Sequence, residues 1–314
     1  MNRKKIQRQS LGKALLNRML YVILLCPFFV LGQASNDCSW WNQIHGYDGT
    51  KSWKEYYRLS PAYFGPNALP VAIIYGGHLE ESSFGIAGDI YFGHGDNTQD
   101  IYVHWYQSFC DSRIGIKFDM VPVEHYKTTT EVRDERASME WDAEGWAIGD
   151  LAFNFYFQMV REKKRLPGMV ISLYTKSASG SDFSGSRYFD SPAYGVDLNL
   201  GKTYLSSNSV INSLNIAADI GFLCWQLAES TRYQNDAFSY GLKLELESKK
   251  WTLDNQLAGY AGYLHNGDCP LIWRCKLLYD FGKCSSFLQY QHGIHDYPFE
   301  QIRLGFLYHL SFTD

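Results

Sequence analysis

The chain has 314 residues, with 29 Lys and Arg against 33 Asp and Glu, and 16% of it is aromatic. Six of the basic residues, Arg3, Lys4, Lys5, Arg8, Lys13 and Arg18, lie at the front with no acidic residue among them. With that leader set aside the balance is 23 basic to 33 acidic, a formal charge of −10, which argues against nucleic acid as a partner because phosphate binding needs a basic surface.

The front end reads as a secretory signal over residues 1–34. A basic stretch is followed by an apolar run over 19–31, broken by Pro27, and then by Gly32, Gln33, Ala34 and Ser35. That is the order of charge, apolar core and small-residue cleavage site that export requires, with the cut expected after Ala34. The run is about a dozen residues, short of the roughly twenty that a membrane helix needs. Cys26 follows Leu25 with no small residue before it, which is a poor setting for lipidation.

Residues 35–83 lack clean alternation. They carry Trp40, Trp41, Trp53, Tyr56, Tyr57, Tyr63 and Phe64, with turn formers at Gly65-Pro66-Asn67 and at Pro70. A cap, a plug inside a barrel and an amphipathic surface helix all fit. The favoured placement is at or in the periplasmic mouth, because so many aromatics need burial. Residues 69–78 could instead add a strand.

From residue 84 onward the pattern has period two. Phe84, Ile86, Ile90 and Phe92 alternate with Gly85, Ala87, Asp89 and Tyr91; Leu214, Ile216, Ile220 and Phe222 alternate with Asn215, Ala217, Asp219 and Gly221. Side chains alternate faces along a strand, so each segment has an oily and a wet side. Alternating segments fall near 84–93, 100–109, 113–123, 147–160, 168–177, 192–203, 212–223, 237–247, 251–262, 270–281, 285–293 and 300–312. The segments run to about ten residues, enough for a tilted strand to cross a bilayer, whereas soluble strands are usually about half as long. The wet face gathers small residues such as Gly85, Ala152, Gly195, Gly221 and Gly241, which suits a curved, watered lumen. The expected fold is therefore all-β: an antiparallel up-and-down transmembrane β-barrel of about 12 strands over 84–314, located in the outer membrane, with a periplasmic or plug segment before it. A secreted sandwich is the alternative.

Short periplasmic turns are expected near 110–112, 161–167, 204–211, 248–250 and 282–284. Outer loops are expected near 94–99, 124–146, 178–191, 224–236, 263–269 and 294–299. The last strand ends in Phe312, two residues before the terminus, a pattern that outer-membrane assembly machinery reads as a signal. Of the exported cysteines, Cys38, Cys110, Cys224, Cys269, Cys275 and Cys284, none forms a C-x-x-C, so no metal site is expected. A Cys224–Cys269 bridge is open, and Cys275 falls on an apolar face.

Four stretches carry a family resemblance: residues 60–71 around Gly65-Pro66-Asn67-Ala68-Leu69-Pro70-Val71, Glu131-Val132-Arg133-Asp134-Glu135-Arg136, Lys176-Ser177-Ala178-Ser179-Gly180, and Arg187-Tyr188-Phe189-Asp190-Ser191-Pro192-Ala193-Tyr194. Together they resemble a group of uncharacterised outer-membrane barrels of Bacteroidetes-type bacteria. The resemblance spans most of the exported chain. It implies an outer-membrane location and no particular activity.

Candidate functional residues fall in three sets. Glu131, Arg133, Asp134, Glu135 and Arg136 form either a solvated paired loop or a charged constriction folded into the pore. Lys176, Arg187 and Asp190 flank a Ser/Gly-rich loop; they could bind an anionic solute, a sugar acid or a lipid phosphate, or pair with Asp150, Asp190 or Asp197 inside the barrel. The third set is enzymatic. His104 is expected inside, His309 and Ser311 sit near the periplasmic end, and His292 and His295 lie near Asp296, but no G-x-S-x-G is present. No nucleotide-binding motif occurs, so no cofactor is expected. The expected function is a narrow channel or binding barrel for small hydrophilic solutes, in contact with outer-membrane lipids. A lipid-modifying hydrolase and a structural or assembly partner of the envelope are the alternatives.

Overall fold

The computed structural model describes residues 37–69, 71–206, 210–229 and 231–310. The signal, its cut after Ala34, and Ser311 and Phe312 lie outside the described residues. The barrel and the segment inside it fall within Trp41–Asp314.

Thirteen strand segments are formed among the described residues: β1 (Ser83–Gly93), β2 (Asp96–Phe109), β3 (Ile114–Thr128), β4 (Glu144–Ala147), β5 (Ala152–Val160), β6 (Gly168–Lys176), β7 (Ala193–Leu205), β8 (Ser213–Gln226), β9 (Gln234–Glu247), β10 (Trp251–Gly262), β11 (Leu271–Asp280), β12 (Cys284–His295) and β13 (Glu300–His309). Apart from β4 and β5, consecutive strands pair antiparallel, and β1 closes on β13 from Ser83↔His309 to Phe92↔Glu300. β4 and β5 both pair with β3 and are two halves of one wall strand, so the barrel has twelve. Closure leaves no open sheet edge, which a lipid environment demands because it offers backbone groups no hydrogen bonds.

The alternation sorts as chemistry requires. Ile90, Leu304 and Phe306 are 52%, 57% and 59% exposed on the outer wall, facing lipid, while Asp89, Asn199 and Gln301 beside them are at most 2% exposed inside. Cys275 faces outward, and among the described residues Cys224 and Cys269 are free thiols with no bridge between them.

One end of the barrel carries the turns 110–113, 161–167, 248–250 and 281–283 and the join of β7 to β8. The other carries 94–95, 129–143, 177–192, 263–270 and 296–299 and the join of β8 to β9. The two longest connections share an end and the last strand finishes at the opposite one, so the turn end is periplasmic and the loop end faces outward. The first outer connection is shorter than the sequence suggests: β2 begins at Asp96, and His94 and Gly95 make the turn with φ of 41° and 73°.

The 147–160 strand is interrupted. β3 bulges where Ile101 and Val103 face Val123 and Met120, leaving Val121 and Pro122 without partners on β2. A proline has no N–H to give to the ladder, so the bulge costs little there. Opposite it, residues 148–151 leave the sheet. Their amides are recovered by the Ser-rich loop: Ile148 N donates to Ser181 Oγ at 2.8 Å, and Leu151 N to Ser179 Oγ at 3.0 Å. The break turns Asp150 inward.

Candidate functional site

Residues before β1 fill the barrel from the outer end. Trp41, in helix α1 (Ser39–His45), is fully buried and donates from its indole to Ala137 O at 2.8 Å. Tyr57 and Phe64 pack with Phe183, and Phe64 also meets Phe189 edge-on at 4.6 Å. Trp225 donates to Leu59 O, and Gly65 N to Ser186 O. The chain then descends through the lumen. Tyr260 donates to Leu69 O, Ile74 N to Gln256 Oε1 at 3.1 Å, Tyr75 N to Asn199 Oδ1 at 2.8 Å, and Gln158 to Gly77 O at 2.8 Å. At the periplasmic end, backbone presses on backbone. A Cβ at Gly201 would lie 1.8 Å from Gly76 O, and one at Gly168 2.1 Å from Gly77 O.

This differs from the placement favoured by the sequence. Trp41, Tyr57 and Phe64 are buried at the outer mouth, where the 177–192 loop supplies Phe183 and Phe189 and the outer end of β8 supplies Trp225 as partners. Residues 71–78 form no wall strand: their backbone bonds go largely to wall side chains such as Gln256, Asn199, Gln158 and Asn215.

The four stretches that carry the family resemblance converge at the outer mouth. Arg187 is fully buried; its Nε donates to Glu124 Oε1 and its Nη1 to Asp96 Oδ2, both at 2.8 Å, and its guanidinium lies 4.5 Å from the Tyr126 ring. Arg136 reaches the same Asp96 oxygen at 2.5 Å. Tyr188 donates to Glu124 Oε2 at 2.6 Å, and Asn67 donates to both Asp100 and Glu124. Gly65 is required because a Cβ there would sit 2.8 Å from the Arg187 guanidinium carbon. Burial alone would lower the pKa of Arg187, but Asp96 and Glu124 outweigh it and raise the value; at Arg136 burial wins, against Asp96, and lowers it. Burial raises the Asp182 carboxyl, although Tyr126 donates to it at 2.5 Å.

The remaining sequence candidates are placed as follows. Residues 130–135 form helix α2 (Thr130–Glu135), capped by Thr129, with Arg133 bonded to Asp134 at 2.7 Å and Glu135 on the exposed side near His94. Lys176 is 2% exposed and donates to Asp150 at 2.5 Å and to Ser191 O. Asp190 meets Lys54 at 2.6 Å on the exposed side. Asp197 lies lower on the lumen wall and accepts from Ser239 at 2.5 Å.

Among the described residues the predicted histidines are not assembled into a Ser-His-acid triad. His309 Nε2 lies 2.7 Å from the buried Ser285 hydroxyl, but its Nδ1 has no partner, so no third group orients it. His104 is inside against Gly85, and His292 faces outward with Glu300 at 2.6 Å.

Between the descending segment and the surrounding wall strands is a cavity of about 180 Å³. Tyr102, Lys117, Tyr174, Asp197, Arg274 and Gln291 are among its lining residues. Of these, sequence reasoning singled out Asp197 alone. The inward parity of each on its own strand, as for Arg274 on the 270–281 segment, was the signal for the rest.

A closed twelve-stranded wall, oily outside and polar within, defines an outer-membrane β-barrel protein. The fold is that of known bacterial barrels. The NanC porin superposes with a TM-score of 0.50 at 9% identity, over 72% of this chain and all of that one. An outer-membrane channel from Pseudomonas putida F1 gives 0.48 at 10% identity, over 77% of this chain and 97% of that one. LpxR from Salmonella typhimurium gives 0.48 at 7%, over 72% of this chain and all of that one. No family model and no curated protein sequence matches the chain.

Proposed function

We propose that this protein is a narrow, internally plugged barrel that binds and passes small hydrophilic solutes. The observation that carries the reading is the tyrosine-lined lumen cavity, bounded by the wall strands and by Asn67, Val71, Ile73 and Tyr75 of the descending segment. Twelve strands enclose more than the packed interior of eight and less than the open channel of a sixteen-stranded porin, so a segment of this size is enough to govern passage. In this reading residues 35–83 are a cap-and-plug unit on the barrel of 84–314. Arg133, Asp134, Glu135, Arg136, Asp150, Lys176, Arg187 and Asp190 hold the cap, and Asp197 faces the solute. Membership in the Bacteroidetes-type group is supported by the convergence of its four stretches on one buried cluster. Insertion through the assembly machinery rests on the amphipathic last strand.

The test is single-channel conductance in planar bilayers, with and without residues 35–79. Steady current only after truncation is the expected result. Silence of a truncated barrel that still migrates as folded would reject the reading.

A further inference from the structure

The structure assigns to β11 an anion-binding role, and to the lumen cavity a small polyhydroxylated anion, a sugar acid or a phosphate, as its ligand. This rests on the plugged-barrel reading above. The lumen-facing cations Lys117, Lys176, Lys243 and Arg303 each lie within ion-pair distance of a carboxylate. Among the described residues, Arg274 and Lys276 do not. Arg274 donates only to neutral acceptors: Gln291 Oε1 at 3.1 Å, Gln256 Oε1 at 3.3 Å, and the carbonyls of Ala72 and Val71 at 3.5 Å. Lys276, on the same face and about 7 Å nearer the periplasm by strand rise, has its ammonium 4.9 Å from the Phe287 ring.

A guanidinium that lines the cavity with no carboxylate at ion-pair distance calls for a counter-charge, and its planar fork matches a carboxylate or phosphate. The cavity supplies the complement for the rest of such a molecule. Tyr174 has a buried hydroxyl with no partner, Gln289 and Gln291 present amides, and Asp197 has no cation at ion-pair distance among the described residues, so it accepts from hydroxyls. The cavity, about 180 Å³, is below the roughly 300 Å³ at which drug-sized sites begin, so one small solute fits and a chain of them does not. The cations that sequence reasoning offered for this role, Lys176 and Arg187, are consumed by Asp150, Asp96 and Glu124. Lys276 gives a departing anion its next contact on the way to the periplasm.

The experiment is calorimetric titration of the full exported chain, refolded in detergent, with glucuronate, glucose and inorganic phosphate. Glucuronate or phosphate is expected to bind roughly tenfold or more tightly than glucose, as charge-assisted bonds would give. Preference for glucuronate identifies a sugar acid; phosphate binding equally well identifies the phosphate group as the ligand. Arg274→Gln should abolish the preference, and Arg274→Lys, which keeps the charge, should retain part of it. Equal affinity for glucose and glucuronate, or a preference unchanged in Arg274→Gln, overturns the anion assignment while leaving the solute reading in place. No binding of any solute, together with no current from the truncated barrel, overturns both.

Discussion

Arg187 is fully enclosed between two carboxylates that are themselves buried, so its removal strands negative charge away from water. Breaking a buried pair on one side costs about 3–5 kcal/mol. Arg187→Met is therefore expected to lower the unfolding temperature of the refolded barrel clearly, measured by loss of its compact gel mobility on heating, while Lys54→Met, at the exposed Asp190 pair, should change little. Two acids of the outer cap carry a pH dependence. Burial raises Asp182, and burial followed by the charges of Asp182 and Asp142 raises Glu140. The folded cap holds these protons more tightly than the unfolded chain does. That stability is fully present below the ordinary carboxylate range of about 3.9–4.3 and is lost as pH rises through the raised folded values. Amides of residues 177–187 should exchange faster at neutral than at acid pH after correction for intrinsic rates, and Asp182→Asn should flatten the difference. Protection that grows with pH would reject the assignment.

At the scale of elements, the descending segment is held to the wall by the absence of side chains. Gly77, with φ at 80°, sits against Gly168 on β6 and Gly201 on β7 with no room for a Cβ at either wall position. Gly201→Ala forces Gly76 away from β7. Overpacking of this kind costs about 1–3 kcal/mol, and here it falls on the docking of the segment, since the β6–β7 ladder can stay intact. The expected outcome is an intact barrel with more frequent open events in bilayer recordings; Gly88→Ala, where a Cβ meets nothing within 4 Å, is the silent control. Period two made the wall strands legible, because lipid on one side and water or plug on the other leave no freedom of register. The bulge at Val121–Pro122 and the matching break at 148–151 were not legible, since each is defined only by its partner across the sheet. The small inward residues were visible in sequence, but their purpose was not. Gly241 makes room for Ile74 of the descending segment, and Gly85 for the His104 ring.

At the scale of the whole molecule, orientation is the testable quantity. Cys110 lies exposed in the turn between β2 and β3, at the end assigned to the periplasm. A variant that keeps Cys110 alone should resist a bulky polyethylene-glycol maleimide on intact cells and react once the outer membrane is opened. Labelling of intact cells would invert the barrel, and with it the direction in which residues 41–82 descend.

The sequence by itself determined the wall: which residues face lipid, how many strands close the barrel, and which end bears the loops. These follow from local alternation and from the requirement that lipid leave no backbone group unbonded. Only the tertiary structure decided what fills the lumen and which charges remain unpaired. Residues 41–82 take their path from partners scattered over the wall strands and outer loops, and no local period records such contacts. For Lys176 and Arg187 the sequence left ligand binding and internal pairing both open; the structure pairs Lys176 with Asp150 and Arg187 with Asp96 and Glu124, while Arg274 and Lys276 have no carboxylate at ion-pair distance among the described residues.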